Sequence, residues 1–327
     1  MKELLRKCKR SLEAWREARK ARREAVRACR YDMRRFLAHA GALHPKSRAA
    51  AVACIAMGAH VLEKGLTMPR RRLGFGKPAA VHLANLIEDF ERRFGASDPQ
   101  VRHAASVLRE YRELHRDWPE PMPRLDAFLA ARPALVAAAQ PHVGRDAFFA
   151  AKDAPFAAFA ASRHVVRHFA APVPRAVLEK ALGLAVLAPS ACNRQHARVH
   201  VFGRGEALER LLALQGGNRG FGGDVGTALV VTADLAAVRW GWERHDAWTN
   251  GGLFVMNLCY ALHHCGVAHC ILHWSVSPET DREARRGAGI PDGEEIVCVV
   301  AAGIPPDEFD VASSPRLAPG DIVSWHE

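Results

Sequence analysis

From Ser162 to Gln195 the chain reads SRHVVRHFAAPVPRAVLEKALGLAVLAPSACNRQ. Arg163 and Arg167 lie four positions apart, just before Phe169. Pro172-Val173-Pro174 then opens an amphipathic helix over Arg175–Leu187, which breaks into Ala188-Pro189-Ser190-Ala191-Cys192-Asn193-Arg194-Gln195. Guanidinium groups make bidentate, charge-assisted bonds to phosphate. The hydroxyl and amide groups of the loop suit the heteroatoms of a flat ring. A ligand with a phosphate tail and a ring therefore fits this stretch. Surface arginines beside a helix end, followed by a polar turn, are the plainer alternative.

Around this stretch, helices alternate with short β-type runs. Candidate strands are Val199–Phe202, Ala228–Thr232, Ala268–Leu272 and Ile296–Val300. Between them the pattern predicts helices over Glu206–Leu214, Gly252–Cys265 and Pro278–Gly287. That is an α+β layer. The first 145 residues differ. A basic stretch over 1–40 has stripes at helical spacing: Leu4, Leu5, Cys8, Leu12 and Trp15, then Val26, Cys29, Met33, Phe36 and Leu37. An apolar segment follows at 48–68, then helical patterns over Pro78–Phe94, Pro99–His115 and Leu125–Ala139. Trp118-Pro119-Glu120-Pro121-Met122-Pro123 is a breaker. No strand is expected before about residue 198. The division read from this is a helical region over 1–145 and an α+β domain over 146–327.

Arg163-His164-Val165-Val166-Arg167-His168-Phe169 resembles the Arg-x-Ser-x-Arg/Lys-x-Phe motif of the nitroreductase family, and Ala188–Gln195 resembles its APSxxNxQPW. Two departures stand out: Val165 replaces the motif's Ser, and His196-Ala197 replaces its Pro-Trp. Thr249-Asn250-Gly251-Gly252 through Gly266 is similar to the family's long central helix, with Asn250 where many members have Asp. Cys270–Ser275, Ala302-Gly303-Ile304-Pro305-Pro306 and Ser313–Arg316 follow in the family's order. The resemblance spans roughly residues 155–325. It implies a mixed sheet flanked by helices, a homodimer, and FMN held by Arg163, His164, Arg167, Pro189, Ser190, Asn193, Gln195, Asn250, Gly251, Leu272 and Arg316. The backbone of His273 or Trp274 would face flavin N5. It further implies hydride transfer from NAD(P)H through the flavin to a small-molecule acceptor, the cofactor supplying the redox chemistry.

His60-Val61-Leu62-Glu63-Lys64-Gly65-Leu66 and Gly74-Phe75-Gly76 resemble an N-terminal extension in a subgroup of nitroreductase-like proteins. Read from the residues, this is either a structural turn or a site for an anionic substrate or partner, covering the flavin pocket. Trp240, Trp242, Trp248 and Trp274 are expected beside the site. Gly216–Gly223 does not open a helix after a strand, so it is a poor phosphate loop and reads as a mobile loop. His263, His264, Cys265, His269, Cys270 and His273 crowd together, but their spacing matches no common zinc site, and no metal is expected.

The bulk numbers bound the rest. Apolar residues make up 49% of the 327, and charged residues 25%, as in ordinary globular chains. No apolar run reaches the length of a membrane span, and no secretory h-region opens the chain. Eight cysteines without a CxxC pair suit buried thiols in a reducing cytoplasm. The net charge is +11, and residues 1–40 carry most of it, with fourteen Lys/Arg against five Asp/Glu. A basic amphipathic helix either packs by one face on its own protein or meets an acidic partner or membrane surface. No nucleic-acid motif accompanies the charge. The alternative to an enzyme is therefore a scaffold of the same fold, without turnover, engaging such a partner through this helix.

Overall fold

The computed structural model describes residues 2–39, 47–95, 98–238 and 240–326. The N-terminal part is helical: α1 (Lys2–His39), α2 (Arg48–Leu66), α3 (Lys77–Phe94), α4 (Pro99–Leu114) and α5 (Pro123–Ala130). Helices α2 to α5 enclose one apolar core around Ile55, Leu62, Leu83, Ile87, Leu108, Tyr111, Leu125 and Phe128. Ser47 and Asp98 cap α2 and α4 by accepting N–H bonds in their first turns. Helix α5 stops at Ala130, well short of the expected Ala139, because Pro133 cannot continue it. Helix α2 is long and apolar enough to cross a bilayer, which the search for an unbroken apolar run did not register. Its Ile55, Ala59, Leu62 and Leu66 face is instead buried in this core.

The glycines of the 60–76 segment are needed for close packing. A Cβ on Gly65 would lie 2.0 Å from the Phe75 ring. That ring meets Tyr111 edge-on at 5.2 Å, and Tyr111 Oη donates to the Phe75 carbonyl at 2.6 Å. Gly74 (φ +80°) leaves no room for a side chain beside Trp118. Gly65→Ala is expected to cost about 2–3 kcal/mol, the range of overpacking in a filled core. A urea midpoint equal to that of the wild type would contradict this packing.

Past this core, β1 (His142–Gly144) leads into α6 (Arg145–Phe148) and α7 (Phe156–Ser162). Strand β1 pairs antiparallel with the distant β6 (Glu308–Asp310). The expectation of no strand before residue 198 therefore fails. Three residues are too few to show alternation, and their partner lies 166 positions away. Next come α8 (Arg175–Ala185), β2 (Ala197–Gly203), α9 (Glu206–Leu214), β3 (Thr227–Asp234), α10 (Asp246–His264), β4 (Ala268–His273), α11 (Pro278–Ala288) and β5 (Glu294–Gly303).

The main sheet has the order β2-β3-β5-β4 and is antiparallel at every pairing, where a mixed sheet was expected. The α+β class stands. Successive residues of β5 point to opposite faces: Val299 and Ala301 to one core with Phe169, Leu208 and Phe309, Val300 and Ala302 to another with Leu178, Phe254 and Leu258. With both faces covered, β3 and β5 are apolar runs rather than alternating ones, as doubly buried strands are. Helix α10 starts at Asp246, six residues before the expected Gly252. A Cβ on Gly251 would come within 2.5 Å of Val297, so this glycine brings α10 close to β5. Gly252 faces open space and has no such role.

Helix α1 does not pack by its apolar stripe. Its contacts with the body run through Asp32, which bonds Arg244 and His245, and through Ala25 against Gly241. Leu12, Trp15, Val26, Met33 and Leu37 are all exposed. The side chains of Leu4, Leu5 and Phe36 lie outside the described residues.

Candidate functional site

The segment after α7 runs extended from Arg163 to Phe169. Val166 N–H donates to the His269 carbonyl at 3.0 Å, which ties the segment to β4. Val165, in the motif's Ser position, packs its side chain on the sheet core. Arg167 is only 7% exposed. Its Nη1 has no partner, and neither has the buried Nε of Arg163. Buried polar atoms are nearly always bonded, so two orphaned guanidinium donors four residues apart on one segment each lack an acceptor. An anion would supply such an acceptor, and guanidinium donors of this kind suit a phosphate such as that of FMN. Arg316 is exposed and donates to the Ser314 carbonyl. Burial, then the charges of Arg163 and Arg316, hold His164 below the ordinary histidine range.

This cationic pole rests on α2. Arg167 Nη2 donates to His60 Nε2 at 3.4 Å, and His168 Nε2 donates to the Thr67 carbonyl at 2.8 Å. Partial desolvation and then the Arg167 charge push the His60 pKa down, in the direction that favours the neutral, accepting ring. Lys64 donates to the Gly217 carbonyl at 2.7 Å. Burial followed by Arg167 lowers its pKa as well. Glu63 is fully buried. It accepts from His103 at 2.8 Å and from the N–H and hydroxyl of Ser314, both at 3.3 Å. Burial alone would raise its pKa, but the His103 bond and the other donors hold it below the ordinary carboxylate value. Glu63 thereby fastens the strand of chain that carries Arg316 to α2. Sequence reading left the 60–66 motif open between a structural turn and an anionic site covering the flavin pocket; its contact with Arg167 puts it beside the arginines. The available signal was the spacing of His60 and Lys64, four apart and so on one helix face.

The glycine-rich segment is pinned and not the mobile loop expected. Lys64 holds Gly217, Gln215 Oε1 accepts from Gly217 N–H, Asn218 donates to Leu212 and Gln215 carbonyls, and Arg70 pairs with Asp224. A cavity of about 670 Å³ lies against it, lined by Arg70, Arg204, Arg219 and Phe221 among others.

The second pole is the 188–195 loop. Cys192, Asn193 and Gln195 all have positive φ, 49°, 53° and 51°. Such a run in non-glycine residues is strained and persists only where surroundings enforce it. Asn250 Oδ1 accepts from Ala191 N–H at 2.7 Å, and Ser190 Oγ accepts from Gln195 N–H at 2.9 Å. Arg194 adds bonds to Glu243 and Asp246. Sequence reading passed over Arg194 in favour of its neighbours. Asn193 and Gln195 are exposed, and Pro189 is exposed beside them. A cavity of about 70 Å³ borders Ser190, Gln195, His196 and Asn250; it is far too small for a flavin ring.

The two poles are at opposite ends of α10. Asn250 meets the loop near one end, while His263 Nε2 meets Ser162 Oγ at 2.9 Å near the other. Thirteen residues at about 1.5 Å each separate these contacts by roughly 20 Å. One chain does not bring its two sets of candidate residues together. His273 and Trp274 sit at the exposed end of β4. The His273 carbonyl accepts from Gln215 Nε2, and Trp274 Nε1 donates to Asp281. The Leu272 side chain is in the sheet core. Nor do the tryptophans form one cluster. Trp240 and Trp242 stack on each other at 5.5 Å beside α1, whereas Trp274 packs against the sheet core. Among the described residues no group of three or more His, Cys, Asp or Glu is placed to hold a metal ion.

Residues 160–218 match the family model described as the nitroreductase family. No curated protein matches the chain. Among solved structures, the fold is similar to a nitroreductase family protein from Clostridium difficile 630 (20% identity, 53% of this chain and 99% of that one, TM-score 0.45). It is also similar to a Desulfovibrio desulfuricans protein described as a nitroreductase in complex with FMN (18% identity, 53% and 97%, TM-score 0.44). A third is a Staphylococcus epidermidis ATCC 12228 protein described as an NAD(P)H:FMN oxidoreductase (18% identity, 53% and 96%, TM-score 0.47).

Proposed function

We propose that the protein is an FMN-dependent oxidoreductase that acts as a homodimer, with each cofactor site assembled from two chains. The observation that carries this reading is the pair of orphaned, buried guanidinium donors of Arg163 and Arg167 within the nitroreductase-family segment. Arg163, Arg167 and Arg316 would hold the phosphate end. Ser190, Asn193 and Gln195 would meet the ring of the cofactor bound to the other chain, since in their own chain the loop and the start of the arginine segment touch α10 about 20 Å apart. When bound, FMN would supply the redox chemistry, taking a hydride from NAD(P)H and delivering electrons to a small-molecule acceptor. The chain's part is binding, orientation and charge. His60 stays neutral and accepts from Arg167, which fixes the direction of that guanidinium. The Glu63–Ser314 bonds keep Arg316 near His164.

The surface of α10 supports the assembly. Trp248, Leu253 and Met256 are exposed on it. Beside them a cleft of about 550 Å³ is lined by Phe156, Leu187, Asn257 and Tyr260. Contiguous apolar surface of this kind marks an interaction site. The test is an absorption spectrum of the purified protein, followed by anaerobic titration with NADPH or NADH. A flavin band that bleaches on titration is expected. Protein that stays colourless after incubation with excess FMN and gel filtration would sink the reading.

A second reading is favoured by the exposed stripe of α1. Leu12, Trp15, Val26, Met33 and Leu37 lie on one face of a helix lined with Arg19, Arg22, Arg23, Arg27, Arg30 and Arg34. That pattern suits an anionic surface, and a scaffold without turnover would use it to hold an acidic partner or membrane. Such a scaffold oxidises neither NADH nor NADPH with any acceptor, and loses its binding when residues 1–40 are deleted.

A further inference from the structure

We propose that the end of α2 and the 163–167 segment form one anion-binding site, in which Lys64 of the helical N-terminal region binds the ligand beside Arg163 and Arg167. The FMN reading is used only for the identity of the occupant, the phosphate-bearing cofactor.

Three observations converge. The first is the absence of a counter-charge. Among the described residues no carboxylate lies within ion-pair distance of Arg163, Arg167 or Lys64. Glu63, the acid adjacent in sequence to Lys64, is taken up by His103, Ser313 and Ser314. Buried or half-buried cations without an anion are costly. Arg167 and Lys64 also repel each other, as the effect of Arg167 on Lys64 records. A protein that gathers them leaves the balancing charge to a ligand.

The second is donor capacity. Arg167 is more than nine-tenths buried with Nη1 unpartnered, and the Nε of Arg163 is likewise buried and unpartnered. The Lys64 ammonium has three donors, of which one goes to the Gly217 carbonyl. The third is the direction of the helix face. His60 and Lys64 are one turn apart on α2, and His60 Nε2 is 3.4 Å from Arg167 Nη2. The same face thus orients a guanidinium through a neutral ring and adds a charge of its own. Lys64 also lies 5.4 Å over the Phe221 ring, which limits the directions in which its ammonium can swing. The conspicuous His-x-x-Glu-Lys pattern thereby has a division of labour: His60 positions Arg167, Glu63 holds the 313–316 chain, and Lys64 binds.

The experiment uses the full chain, as wild type, Lys64→Met, Lys64→Arg and Lys64→Gln, with two probes. FMN binding is read by quenching of flavin fluorescence, and inorganic phosphate binding by the rise in Tm it produces. Lys64→Met is expected to raise the FMN Kd by about tenfold or more, the loss of one charge-assisted contact, and to abolish the phosphate-induced rise in Tm. Lys64→Arg restores both. If Lys64→Met fails to fold, Lys64→Gln against Lys64→Arg makes the same comparison. Lysine variants that bind FMN and phosphate as the wild type does overturn the proposal. A wild type that binds phosphate through Lys64 but does not bind FMN overturns the FMN reading and upholds the anion site. A wild type that binds neither overturns both.

Discussion

Arg167→Met is expected to lose FMN affinity by about a hundredfold or more while the ligand-free protein melts no earlier than the wild type. The first half follows from geometry. Truncating one member of a buried, hydrogen-bonded charge pair costs about 2–5 kcal/mol, and the guanidinium is almost wholly enclosed. The second half separates a ligand-binding residue from a structural one. Without ligand, Arg167 is a buried cation with an unpartnered Nη1, and Lys64 is close enough to repel it. Replacing an uncompensated buried charge by an apolar side chain of similar length is often neutral or stabilising. A residue that merely held the fold would show the opposite, a fall in Tm matched to the loss of binding. Circular dichroism melts and fluorescence titrations on the same preparations give both numbers. Unchanged FMN affinity in this variant would remove the arginine from the site.

If the proposed homodimer forms, Met256→Glu on α10 is expected to convert it to a monomer and to abolish FMN binding, although it touches none of the candidate contact residues. Met256 is on the exposed face with Trp248 and Leu253. A charge there leaves the monomer solvated as before, but would have to be desolvated without a partner at an interface. Loss of binding follows from the separation along α10: if each flavin needs arginines from one chain and the 190–195 loop from the other, a monomer holds half a site. Sedimentation or light scattering gives the mass, and the melting curve shows that the fold is retained. A monomeric variant that still binds FMN as tightly as the wild type would show that one chain is sufficient. In that case the 190–195 loop would have some other purpose for its three positive-φ residues.

Much of this was legible in the chain. Helices α3, α4, α9 and α11 and the four main strands fall within a few residues of where periodicity and turn signals put them. The arginines at 163 and 167, the 188–195 loop and Asn250 were singled out by their resemblance to family motifs, whereas the bond between Asn250 and that loop was not foreseen. Other features were not legible, for physical reasons. Strand β1 is too short to have a pattern and exists only because β6 pairs with it. The glycine-rich 216–223 stretch looks mobile by composition, yet Lys64, Gln215, Asn218 and Arg70 restrain it, and composition carries no record of long-range donors. The tryptophans are close in number but diverge in space, because Trp274 is directed by Asp281 while Trp240 and Trp242 stack beside α1.

Local chemistry is what the sequence alone determined: which segments are helix or strand, which side chains carry donors suited to a phosphate or a ring, and which segment matches the family model. Those properties depend on a residue and its near neighbours, so spacing is enough to read them. The tertiary structure decided which of these groups meet. It brought the His60–Lys64 face of α2 to Arg167 across about a hundred residues of chain and fastened Ser314 to Glu63 across 251. It also held the two halves of the motif apart at the ends of one helix. Such juxtapositions come from the packing of α2 and α10 against the rest of the fold. That packing buries apolar surface without regard to the order of the chain, so no local pattern could have announced it.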